Sequence, residues 1–345
     1  MSWLDRYNKN KQKLVDANLY DSMEEHDACG VGFIAAIDGK PNRRVVISGI
    51  EALKAVWHRG AIDADGKTGD GAGIHLEIPK DFFEEEIRKT GHEMMQGDFG
   101  IGMMFLPRND YSALEKCRTI VESELIDHGY FIYGWRQVPV NTSVIGKKAN
   151  MTRPDIEQVM FVNNKERNED EDLDKELFLI RRRIEKRILN LQISEFYICS
   201  LSFKSVIYKG LFLAEELEVF YPDLQNENFI SSFAIFHQRY STNTFPSWAL
   251  AQPFRTLAHN GEINTISGNS NWMRNHENRI ASELFGENSE QVKPIIIRGS
   301  SDSSALDSAF ELFVRAGRSA PLTKTLLMPE ACLLYTSPSP RDPIG

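Results

Sequence analysis

The chain is poor in cysteine, lacks long apolar runs and carries no surplus of positive charge. Its 345 residues hold four cysteines, Cys29, Cys117, Cys199 and Cys332, with no CxxC pair and no Cys/His metal spacing. That excludes a disulfide framework and fits a reducing compartment, the cytoplasm. No run of about 20 apolar residues is present to cross a bilayer. The first residues also lack the apolar core, roughly 7 to 15 residues long, of a signal peptide. Forty Lys and Arg against 49 Asp and Glu give a formal net charge of −9, which argues against nucleic acid or an anionic membrane surface as partner. Eight histidines include no HxxxH pair, so no metal site is expected. His26, His58, His75, His237 and His259 are better read as hydrogen-bonded histidines.

The glycines between Gly60 and Gly73 invite three assignments, and none survives inspection. A phosphate-binding loop needs Gly at position 61, where Ala stands, and a following helix, which more glycine replaces. A calcium loop starting at Asp63 would place Lys67 at a ligand position and Ile74 where the bidentate Glu belongs. Gly69, Gly71 and Gly73 are followed by Ile74, where a dinucleotide fingerprint needs Gly or Ala. These glycines are expected to allow close backbone approach.

What is present is an ordinary core-forming composition, 41% hydrophobic. Apolar residues at three- and four-residue intervals predict helices over 45–57, 111–125 and 177–191, with a Glu-rich helix started by Pro79. Apolar runs predict strands directly after Cys29 and over 72–78, 99–106, 130–135, 195–203, 205–213 and 229–238. The charged segment 163–176 reads as a solvated loop. Blocks of strands and helices predict two helix-covered sheets.

Cys29 stands where a polar leader meets the first strand. A cut between Ala28 and Cys29 would put a thiol and a free α-amine on one residue. That amine, of pKa roughly 7.7 to 8, can take the thiol proton and later deliver it to a leaving group. Three polar clusters follow downstream. Arg239 stands at the end of the strand Phe236-His237-Gln238, suited to a bidentate pair with a carboxylate. Leu257-Ala258-His259-Asn260-Gly261 reads as a strand stopping at Asn-Gly, whose side-chain amide and backbone N–H can converge on an oxyanion. Ser300-Ser301-Asp302-Ser303-Ser304 opens a helix, with Asp302 either capping it or pairing with a ligand ammonium.

These clusters, together with His58-Arg59-Gly60-Ala61, Thr68-Gly69-Asp70-Gly71-Ala72-Gly73 and Ala28-Cys29-Gly30-Val31-Gly32, resemble the class II glutamine amidotransferase family of N-terminal-nucleophile hydrolases. Within it they resemble the glutamate synthase branch. The resemblance runs from the leader to Pro329-Glu330-Ala331. It implies an α+β fold, a four-layer αββα sandwich of two antiparallel sheets. It also implies that Cys29 attacks the side-chain amide of L-glutamine, forming a γ-glutamyl thioester and releasing ammonia. Asn260 and Gly261 would hold the oxyanion, Arg239 the substrate α-carboxylate and Asp302 its α-ammonium. Arg59 matches an arginine close to the nucleophile, and Thr242 a residue lining the glutamine pocket.

By the same resemblance, residues 1–28 are a leader removed on maturation and 29–331 the amidotransferase domain. Residues 332–345, where Cys332 replaces an expected tryptophan, look like a non-native read-through tail. The parent enzyme would pass ammonia to a synthase region of the same chain that aminates 2-oxoglutarate. FMN and an iron–sulfur cluster are expected only there, with ferredoxin or a small electron-transfer subunit as partner. Amidophosphoribosyltransferases and amino-sugar enzymes use the same hydrolase domain, and an inactive structural module is a further alternative.

Overall fold

The computed structural model describes residues 3–17, 30–164, 172–239, 244–260, 263, 266–279, 285–297 and 299–328. The sequence pattern gives no element ahead of Cys29, yet a helix, α1, spans Trp3–Asp16. Asp5 in the first turn and Lys13 in the last match the helix dipole, and Gln12 Nε2 donates to Asp16 Oδ1 at 2.8 Å. Trp3, Leu4, Tyr7, Leu14 and Val15 recur at helical spacing, but the polar run between Tyr7 and Leu14 hides the signal.

One four-stranded antiparallel sheet contains β1 (Val31–Ala35) and β2 (Ala72–Glu77), with helix α2 (Arg43–Ala55) packed against it. After α3 (Lys80–Lys89), β3 (Asp98–Leu106) opens a second antiparallel sheet. Helix α4 (Tyr111–Asp127), β4 (Phe131–Gln137), short α5 (Lys147–Met151), β5 (Asp155–Asn163), α6 (Leu173–Asn190) and β6 (Tyr197–Ser202) follow. The second sheet runs β4-β5-β3-β6. From β6 a tight turn leads to β7 (Ser205–Gly210), the edge of the first sheet, whose order is β1-β8-β2-β7 with β8 at Phe233–Gln238. The chain finishes with α7 (Leu217–Phe220), ahead of β8, and α8 (Ile266–Glu277), α9 (Asp302–Arg315) and α10 (Ala320–Leu327) after it.

One core joins the two sheets. Ile74, Leu76, Tyr208 and Ala234 of the first sheet and Ile101, Met103 and Met160 of the second enter it with Val46, Ile50 and Leu53 of α2. The opposite face of the second sheet buries Met104, Val159 and Phe161 against Leu114, Cys117 and Val121 of α4 and Ile180 and Ile184 of α6. Burying such a side chain contributes about 1.5 to 3 kcal/mol, so these faces fix the layering. The result is the α+β class of two antiparallel sheets with helices upon them.

Strand β5 is absent from the sequence reading although it is central in its sheet. Both its faces are covered, so its apolar residues run on without alternating. Buried Glu157 and Gln158 also interrupt it. Each is satisfied from outside the strand, Glu157 by Arg118 Nε at 2.8 Å and Gln158 by Arg136 at 2.9 Å and the Tyr208 hydroxyl at 3.0 Å. The segment expected as a loop over 163–176 already re-enters helix at Leu173, with Asp172 capping Lys175 N.

The register brings three strand ends together. The Gln238 amide donates to Gly30 O at 2.6 Å and the Arg239 amide to Gly71 O at 2.8 Å. The end of β8 therefore sits between the starts of β1 and β2.

Candidate active site

Gly30 occupies a place that no side chain could share, since a Cβ there would lie 2.6 Å from Gln238 O. The same built atom lies 3.6 Å from Cβ of Arg59. A 3₁₀ turn, Trp57–Arg59, thus carries Arg59, exposed, to the start of β1. Cys29, the residue before Gly30 in the chain, lies outside the described residues, as do Thr242 and Gly261. The two cysteines that are described, Cys117 and Cys199, are free and buried, and desolvation pushes their thiols up to about 11 and about 12. They are inert neutral thiols.

Arg239 follows the last strand residue, as its position after an apolar run predicts. Its backbone adopts φ 136°, a region that costs a non-glycine residue about 1 to 3 kcal/mol. Hydrogen bonds on both sides hold it there, from its own amide to Gly71 O and from Gln252 N to its carbonyl at 3.3 Å. The side chain is 41% exposed, and Nε donates to Asp70 Oδ2 at 3.2 Å. Burial raises the Asp70 carboxyl above the usual carboxylate range, opposed by its hydrogen bonds and by Arg239.

The stretch before Asn260 is expected as a strand, and no strand pairing is found there. The backbone groups of His259 are taken by side chains instead. Gln252, buried, receives His259 N at Oε1 and donates from Nε2 to His259 O, both at 2.9 Å. His237 of β8 donates from Nε2 to the same carbonyl at 3.1 Å. His259 is thereby fixed over the end of β8, and exposed Asn260 is the next residue. Sequence reading misses Gln252 because its role depends on a hydrogen-bond geometry that no local spacing encodes.

The same loop meets the start of α9. His259 Nδ1 lies 3.0 Å from Ser303 Oγ, and Ile263 N donates to Asp302 Oδ2 at 3.4 Å. Of the two readings open for Asp302, capping falls to its neighbour. Ser301 Oγ accepts from Ser304 N at 3.1 Å, while Asp302 sits inside the helix, 2% exposed, at the positive end of the dipole. Its Oδ1 accepts from its own Ser303 N at 2.6 Å. A carboxylate at this end of a helix, beside the 259–263 loop, is placed to receive a cation.

Arg59, Arg239, Asn260 and Asp302 thus lie on segments tied to one end of one sheet. At this end Asp70 Oδ1 and both amide atoms of buried Gln238 lack hydrogen-bond partners among the described residues, and such atoms are rare enough to mark functional ground. Among the described residues no group of three or more His, Cys, Asp or Glu could hold a metal, and no helix is long and apolar enough to cross a membrane.

The chain is 59% identical over 325 residues to the glutamate synthase [NADPH] large chain of Azospirillum brasilense, covering 94% of this chain and 21% of that one. It is 43% identical over 316 residues to the chloroplastic ferredoxin-dependent glutamate synthase of Spinacia oleracea, covering 91% and 19%. Against the glutamate synthase [NADPH] large chain of Bacillus subtilis the identity is 40% over 315 residues, covering 90% and 20%. The chain therefore spans about a fifth of the length of these relatives. A family model, glutamine amidotransferases class-II, matches residues 29–339, and the chain belongs to that family.

Proposed function

We propose that the chain is the glutaminase portion of a glutamate synthase large chain, with Cys29 as its nucleophile. The observation that carries this reading is the gathering of Arg239, Asp302 and the His259-Asn260 segment around Gly30, the neighbour of Cys29. The family match that begins at residue 29 supports it.

After removal of residues 1–28, the free α-amine of Cys29 takes the thiol proton as sulfur attacks the side-chain amide carbon of glutamine. The oxyanion that forms is held by the Asn260 side chain and the Gly261 N–H. The protonated amine gives its proton to the departing nitrogen, ammonia leaves, and a γ-glutamyl thioester remains. Water then attacks that carbonyl, so one glutamine and one water give one glutamate and one ammonia. Arg239 takes the substrate α-carboxylate and Asp302 its α-ammonium, with Thr242 lining the pocket and Arg59 beside the thiol. Two opposite charges on one α-carbon make the clamp a ruler: only a side chain of glutamine's length presents its amide to the sulfur.

In the longer parent, the ammonia would pass to a synthase region of the same chain that aminates 2-oxoglutarate using FMN and an iron–sulfur cluster. Electrons would come from ferredoxin or a pyridine nucleotide. The domain proper would be 29–331, with 332–345 a non-native tail. Buried free thiols at Cys117 and Cys199 suit a cytoplasmic setting.

The test is glutamine-dependent release of ammonia and glutamate in equal amounts. Cys29→Ala should abolish it without changing thermal unfolding. Asp302→Ala should raise KM for glutamine by about two orders of magnitude, since it leaves the ligand ammonium unpaired in a desolvated site. Ammonia release that persists in Cys29→Ala would remove the thiol from the chemistry.

A further inference from the structure

The glycine-rich block at 68–73 fits no phosphate, calcium or dinucleotide motif, and the structure shows where it leads. Thr68 closes a turn on Asp65, with N to Oδ1 at 2.7 Å and Oγ1 to Oδ2 at 2.6 Å. Asp70 N then donates to Ala61 O at 3.1 Å. Gly71, at φ 131°, turns its carbonyl to the Arg239 amide, a conformation that an L-residue resists. Asp70 and Arg239 are consequently fixed through their backbones on neighbouring strand ends before their side chains meet.

The pair is lopsided. The Asp70 side chain is 5% exposed and that of Arg239 41%, so the carboxylate lies behind the guanidinium on the protein side. Asp70 engages Nε, and no terminal nitrogen of Arg239 has a partner among the described residues. Asp70 Oδ1 also lacks a partner among the described residues. A pair serving stability alone would not need a desolvated acid with one unsatisfied oxygen joined to an arginine in strained backbone. Both features suit an arginine that must point one way before its ligand arrives.

We propose that Asp70 is a positioning residue for recognition of the ligand α-carboxylate: it grips Nε of Arg239 from the buried side and leaves the two terminal nitrogens as a preset fork for a bidentate pair. This rests on the reading of Arg239 as the α-carboxylate clamp. The Thr68–Gly73 block is then part of the substrate site, acting through the arginine, and its glycines let Asp70 reach the end of β8.

The test follows alkylation of Cys29 by the glutamine analogue 6-diazo-5-oxo-norleucine in the whole chain, separating half-saturating concentration from maximal rate. Wild type, Asp70→Asn, Arg239→Ala and the double variant are compared, with iodoacetamide as a probe of the thiol that carries no α-carboxylate. Asp70→Asn should raise the half-saturating concentration about tenfold, the loss of a charge-assisted hydrogen bond, with the maximal rate within about twofold. Iodoacetamide reactivity should not change. In the Arg239→Ala background the same change should add less than about twofold, because its effect runs through the arginine. Multiplicative effects, an unchanged half-saturating concentration, or loss of cooperative unfolding in Asp70→Asn would overturn the proposal in favour of a purely structural acid. If wild-type Cys29 reacts with iodoacetamide but not with the analogue, the glutamine reading itself fails and the role of Asp70 falls with it.

Discussion

At Arg239 the backbone and the side chain pull in different directions. The φ of 136° suits glycine, while the proposed α-carboxylate clamp needs the guanidinium. Arg239→Gly and Arg239→Ala should both raise the half-saturating concentration of the glutamine analogue by about two orders of magnitude, yet they should differ in stability. Glycine relieves the strain and alanine keeps it, so the glycine variant should melt about 2 °C above the alanine variant, equivalent to about 1 kcal/mol. Differential scanning calorimetry decides this, and equal melting temperatures would mean that the φ value carries no strain. The position of Arg239 was legible because it ends an apolar run. Its partner Asp70 was not, because the contact joins residues 169 positions apart and rests on the turn of Gly71.

The elements were legible where apolar residues repeat at the helical period or run on unbroken. Helix α2 and strands β2, β3 and β8 fall within a few residues of their expected places, α2 by its three- and four-residue spacing and the strands as short apolar runs. Strand β5 escaped because buried Glu157 and Gln158 interrupt its apolar run, α1 because a polar run separates its few apolar residues. Residues 257–260 were misread as a strand because apolar residues before an Asn-Gly pair look alike whether a neighbouring strand or a side chain takes their hydrogen bonds. Here Gln252 and His237 take them. Burial brings the His237 pKa from 6.5 down to about 4, so the ring is neutral in the fold and its Nε2–H reaches the His259 carbonyl. Below pH 6.5 the unfolded chain binds a proton that the folded chain refuses until about pH 4. Stability from this group is therefore full above pH 6.5 and falls as the pH drops toward 4, by about 3 kcal/mol in all. Urea unfolding at pH 7.5 and pH 4.5 should show a smaller acid loss in His237→Gln than in wild type, by about 2 kcal/mol. An equal loss in both would place the acid sensitivity elsewhere.

For the whole molecule, the two-sheet class and the candidate site followed from blocks of residues scattered over the chain, and the fold explains why they must be scattered. Gly30 precedes β1, Arg59 ends the turn after α2, Asp70 precedes β2, Arg239 follows β8, Asn260 extends the loop pinned to β8, and Asp302 opens α9. They are drawn toward one end of the sheet because β8 lies between β1 and β2 and its far end receives both the 252–260 loop and the start of α9. Exchanging a strand in that sheet would separate the proposed clamp from Gly30. The central claim is accordingly that Cys29, freed of its leader, faces a glutamine-shaped site at this end of the sheet. Intact mass and N-terminal sequencing of the purified chain, before and after exposure to 6-diazo-5-oxo-norleucine, test it most directly. The account predicts a chain that begins at Cys29 and gains one adduct on that residue, suppressed by excess glutamine. A chain that begins at Cys29 and takes no adduct, or takes one that glutamine does not suppress, would contradict it.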